Sequence, residues 1–68
     1  MLRAEYEART KNMQYADIAE ACGVSKSLVS RVMRGNEKPY PKLRDGIARA
    51  LKWEGYPAEL FEEIKEVR

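Results

Sequence analysis

The 68-residue chain has no histidine and one cysteine, Cys22. A zinc site built from Cys and His has no ligand set here, and a histidine general base is missing. A single thiol forms no internal disulfide, so the core alone must hold the fold. Glycine is scarce, at four residues, and no Gly-rich phosphate loop, nucleophile elbow or cofactor fingerprint accompanies the acidic residues. No run of about 18 apolar residues is present to span a bilayer. Residues 1–20 interleave charged and apolar side chains and contain no apolar signal-peptide core. The resulting expectation is a soluble, cytoplasmic, non-enzymatic chain with no metal, cofactor, membrane or small-molecule partner.

Hydrophobic residues make up 44% of the chain and charged residues 35%, with a net charge of +2. That suits one small domain over residues 1–68 with a single core and a solvated surface. The total charge is too balanced to identify a partner, but its distribution is uneven. Residues 25–42 carry Lys26, Arg31, Arg34, Lys38 and Lys42 against Glu37 alone. Residues 13–24 carry only Asp17 and Glu20, and residues 56–68 are also net acidic. A polyanion would approach the middle of the chain and avoid its end. A solvated charged face would give the same pattern.

Helical periodicity recurs and strand-like alternation is nearly absent. The spacing predicts five helices. The first covers about 2–10, with Leu2, Tyr6 and Ala8 near one face. The second runs from about Gln14 to Cys22, with Asn12 as the best N-cap and Gly23 as the stop. Ser25 caps the third, whose inward stripe is Val29, Val32 and Met33 and whose end is Gly35. The fourth starts near Pro41 and runs to Gly55 over Leu43, Ile47, Ala50 and Leu51. The fifth starts near Pro57 and bears the stripe Leu60, Phe61, Ile64 and Val67.

The stretch from Tyr15 to Arg34 meets the demands of a helix-turn-helix. Ala19 is small where two helices must cross. Gly23 tolerates the positive φ of the turn, and Val24 can plug the turn into the core. Ile18, Val29 and Val32 supply the remaining apolar contacts. This stretch resembles the helix-turn-helix of bacterial and phage repressors. Asp17-Ile-Ala-Glu-Ala-Cys-Gly-Val-Ser-Lys-Ser-Leu-Val-Ser-Arg-Val-Met-Arg-Gly35 is especially similar to the DNA-reading unit of the lac-repressor family. The wider layout, with Pro41-Lys-Leu-Arg-Asp-Gly-Ile-Ala-Arg-Ala-Leu51 as a fourth helix, resembles the lambda repressor and Cro-like class. The sequence departs from the Cro-like pattern at Gln14 and Tyr15, where a Thr-Gln pair is usual. It also lacks the sugar-binding domain that follows the lac-repressor motif. The resemblance implies an all-α, compact five-helix, lambda-repressor-like DNA-binding domain.

In such motifs the second helix lies in the major groove and reads base edges. The face opposite Val29 and Val32 carries Ser27, Arg31 and Arg34, flanked by Ser30, with Lys26 at the N-terminal rim. Arg31 suits a bidentate guanine contact, although a phosphate contact or a salt bridge is open to it. Ser27, Lys26 and Ser30 are further base-contact candidates. Gln14, Tyr15, Arg34, Lys38 and Lys42 are phosphate candidates, with packing on the third helix an equal role for Tyr15. The expected partner is double-stranded DNA, bound by a homodimer on a palindromic operator through the Leu60, Phe61, Ile64 and Val67 stripe. The same stripe could instead close the monomer core. The expected function is that of a small phage or mobile-element type repressor. The alternatives are an architectural or recombination-directing factor, and a protein-interaction module such as an antitoxin or antirepressor.

Overall fold

The computed structural model describes residues 1–64. It contains four α-helices, α1 (Arg3–Thr10), α2 (Tyr15–Cys22), α3 (Lys26–Met33) and α4 (Pro41–Ala50), followed by a 3-10 helix, Pro57–Phe61. The only strand-like pairing among the described residues is an isolated antiparallel bridge between Leu2 and Glu63.

All four α-helices end in one way. A residue just past each helix takes the left-handed conformation: Asn12 (φ 55), Gly23 (φ 70), Gly35 (φ 82) and Lys52 (φ 54). The next residue's N–H then reaches back to a carbonyl of the last turn. These bonds are Met13 to Ala8 at 2.8 Å, Val24 to Ala19 at 3.1 Å, Asn36 to Arg31 at 2.9 Å and Trp53 to Ala48 at 2.9 Å. This is the Schellman arrangement, which satisfies carbonyls a helix end would otherwise leave unpaired.

The expected cap at Asn12 is thereby corrected. Asn12 closes α1, and Gln14 precedes α2, with its N–H donating to the Asp17 carboxylate at 3.1 Å. The predicted end of the fourth helix is corrected as well. α4 ends at Ala50, ahead of the left-handed Lys52, and the ammonium of Lys11 donates to the Leu51 carbonyl there at 2.6 Å. Gly55 serves another purpose: a Cβ there would collide with the Glu59 carboxylate and the Trp53 indole.

The fifth helix is corrected most. From Pro57 the chain makes a 3-10 helix that ends at Phe61. It then turns extended to pair with the N-terminus. The Arg3 N–H donates to the Glu62 carbonyl at 3.0 Å, and the Ile64 N–H to the Met1 carbonyl at 2.9 Å. Leu60, Phe61 and Ile64 therefore do not share an α-helical face. Leu60 is fully buried in the monomer, and Phe61 and Ile64 are half-buried. Val67 lies outside the described residues.

The core is a single cluster. α2 packs on α3 and α4, and the 3-10 helix packs on α4 and α1. Ile18, Val29, Val32, Ile47, Leu51 and Leu60 are fully enclosed. α1 contributes its small face, Ala4 and Ala8, while Tyr6 points outward, the reverse of the expected side. α2 and α4 approach closely enough that a Cβ on Gly46 would sit 3.1 Å from the Cys22 sulfur. A glycine inside α4 costs roughly 1 kcal/mol in helix propensity, and the close approach is what it permits.

Candidate nucleic-acid interface

Three residues, Gly23 to Ser25, join α2 to α3. Gly23 supplies the left-handed turn and half-buried Val24 packs against the core. The Ser25 hydroxyl accepts the Leu28 N–H at 3.2 Å, capping α3 as the sequence predicts. Val29, Val32 and Met33 are buried and fix the rotation of α3 about its axis. That rotation leaves Ser27, Arg31 and Arg34 exposed on the outer face, with Lys26 exposed at the start and Ser30 partly covered on one flank. α3 carries no acidic residue. Its capped N-terminus adds the positive end of the helix dipole to the charge of Lys26.

Arg31 is not idle in the free protein. Its Nε donates to the Glu37 carboxylate at 3.0 Å, across the turn that follows α3. Lys38 and Lys42 are exposed on the loop beyond and on the first turn of α4. Between them stands Tyr40, an exposed aromatic that sequence reasoning passed over.

Gln14 is exposed at the start of α2, and Tyr15 beside it is half-buried. The Tyr15 hydroxyl donates to the Glu5 carboxylate of α1 at 2.7 Å. Burial is the main cause that raises the phenol above its ordinary value, followed by the hydrogen bond to Glu5 and the charge of Glu5, while Arg34 opposes the shift. Glu5 also meets Arg9 at 3.5 Å. The four-residue spacing of Glu5 and Arg9 is visible in the sequence. The ten-residue link from Glu5 to Tyr15 is not.

Two depressions adjoin at this point. The border of one includes Glu5, Arg9, Gln14, Tyr15 and Lys26, and that of the other includes Glu5, Arg9, Tyr15, Arg34 and Glu63. The expected phosphate candidates Gln14, Tyr15 and Arg34 thus lie together beside α3, whereas Lys38 lies on the loop after α3 and Lys42 on the first turn of α4. Burial raises the Cys22 thiol, and Arg49 opposes that shift, which leaves the thiol a weak nucleophile. Among the described residues no group of three or more His, Cys, Asp or Glu side chains could hold a metal ion. No described helix is long and apolar enough to cross a membrane.

The family model described as "Bacterial regulatory proteins, lacI family" matches residues 14–58. The match takes in α2, the turn, α3, α4 and the first residues of the 3-10 helix, and it leaves out α1. It supports a regulator of the lacI kind and gives no separate support to the Cro-like class. No curated protein and no solved structure matches the chain.

Proposed function

Because the chain belongs to the lacI family of bacterial regulatory proteins, we propose that its α3 enters the major groove of double-stranded DNA and reads sequence there. Sequence-specific DNA binding is the family's function. The finer assignment rests on one observation: a capped helix with no acidic side chain presents Ser27, Arg31 and Arg34 outward beside a tight turn. Arg31 is the principal base reader, through its two-pronged donor edge on guanine. Ser27, Lys26 and Ser30 complete the base-contacting set. Gln14, Arg34, Lys38 and Lys42 hold phosphates and fix the register. Repression follows from occupying an operator that overlaps a promoter.

One α3 spans only a few base pairs, so the reading includes a homodimer on a palindromic site with half-sites roughly 34–36 Å apart. Its interface does not use Leu60, which is enclosed in the monomer.

The test begins with selection of preferred duplexes from a random DNA pool. Affinities of Arg31→Ala and Lys42→Ala are then compared on the selected and a random duplex. Arg31→Ala costs about 1–3 kcal/mol on the selected duplex and little on the random one. Lys42→Ala weakens both by one factor and shallows the salt slope by about one unit. Equal losses on both duplexes for Arg31→Ala would reduce that residue to a backbone contact.

A further inference from the structure

The match to the family begins at residue 14, yet α1 contributes side chains to the surface beside α3. Arg9 borders both depressions there, together with Tyr15 and Glu5, and Glu63 stands at the edge of one. Lys26 closes one and Arg34 the other. Lys26 and Ser30 stand four apart on one flank of α3, Arg34 follows just past its end, and Arg9 lines depressions with both Lys26 and Arg34. A helix lying in the major groove has a phosphate strand along each flank.

Tyr15 also borders this flank, but its hydroxyl proton is already donated to Glu5. A phosphate needs a donor, and the phenol in this state offers only an acceptor. Arg9 is placed differently. Its side chain is 67% exposed, and its Nε lies 3.5 Å from Glu5, whose own side chain is only 13% exposed. That separation is longer than a good hydrogen bond, so Glu5 orients the guanidinium without engaging it fully. The two terminal nitrogens form the edge that grips a phosphate bidentately.

We propose that Arg9 of α1 is a DNA phosphate contact, positioned by Glu5, on the flank of α3 that carries Lys26 and runs on to Arg34. The proposal rests on the DNA-binding reading above and extends the contact surface to a helix outside the family match. Arg3 serves as the matched control. It lies six positions earlier on α1, which is about 9 Å along the axis and 240° around it. Its guanidinium sits over the Trp53 ring, 5.7 Å from the centroid.

Affinities of Arg9→Ala, Arg9→Lys and Arg3→Ala are measured on the selected and the random duplex at several salt concentrations. Arg9→Ala weakens both duplexes by the same factor, roughly three- to tenfold, and shallows the salt slope by about 0.9. Arg9→Lys restores the slope, which separates charge from any folding defect, and Arg3→Ala leaves it unchanged. An unaltered slope and affinity for Arg9→Ala overturns the proposal, and so does a loss confined to the selected duplex. If the unsubstituted protein binds neither duplex at low salt, the DNA-binding reading itself falls. Failure at Arg9 alone leaves that reading standing.

Discussion

In the proposed complex Arg31 turns its terminal nitrogens to DNA, and Glu37, which accepts only from its Nε in the free protein, can be exchanged for the duplex. Both side chains are about half exposed, at 53% and 44%, and an exposed ion pair of this kind is worth about 0–1 kcal/mol. The exchange is therefore inexpensive, but Glu37 also places a negative charge beside the proposed DNA contacts. Glu37→Ala is expected to tighten both selected and random duplexes, roughly two- to fivefold at low salt, with the gain shrinking as salt screens it. Gel-shift or anisotropy titrations check this, and an unchanged low-salt affinity would show that the pair does not compete. Tyr15 carries a second expectation. Removing its hydroxyl leaves the sheltered Glu5 carboxylate without its closest donor, so Tyr15→Phe should cost about 1–2 kcal/mol at neutral pH. The fold favours the protonated phenol, so this stabilisation is complete below the ordinary value of 10.0. It is lost as pH rises through the raised folded value. Melting the two proteins from pH 7 to 11 should show the gap narrowing only above about pH 10. Ser25 and Gly23 were legible in the sequence because each acts on backbone within three residues of itself. The Glu5–Tyr15–Arg9 group was not, because its members come from two helices.

The four α-helix ends show what local sequence conveys and what it does not. Gly23 and Gly35 announce their left-handed turns, since glycine adopts positive φ without a Cβ penalty. Asn12 does so more weakly, and Lys52 not at all. A lysine at φ 54 is strained, and it persists because Trp53, Leu51 and Lys11 hold the end of α4 around it. Lys52→Gly should relieve this and stabilise the protein by about 0.5–1 kcal/mol, with no change in DNA affinity beyond the loss of one charge. Denaturant unfolding measures it, and a destabilised variant would show that the long side chain contributes more packing than its backbone costs. The fifth segment departs from its helical spacing for a related reason. Leu60, Phe61 and Ile64 have helical spacing, but the extended residues 62–64 find their hydrogen-bond partners at Met1 and Arg3, about 60 positions away. No window of local sequence contains that competition.

In the molecule as a whole, Leu60 joins the 3-10 helix to the core formed by α2, α3 and α4. A domain of this size has only several kcal/mol of stability in total. Leu60→Ala should cost about 2–5 kcal/mol and lower the melting temperature by roughly 10–30 °C. Scanning calorimetry at two protein concentrations distinguishes this from an interface role. A variant that melts normally and only shifts its oligomeric state would contradict the enclosed position of Leu60. The helix-turn-helix and its outward face were legible because every constrained position lies within twenty residues. The closure of the molecule was not, because it depends on residues 1–3 pairing with residues 62–64. That pairing also has a mechanical consequence. Met1 faces Ile64 and Arg3 faces Glu62, so residues 1 and 64 leave the bridge side by side. A pull applied between them loads these hydrogen bonds one after another, as in opening a zipper, rather than all together in shear. The first event under tension is therefore the peeling of residues 1–3 from 62–64, at low force, before the load reaches Leu60 and the helices behind it.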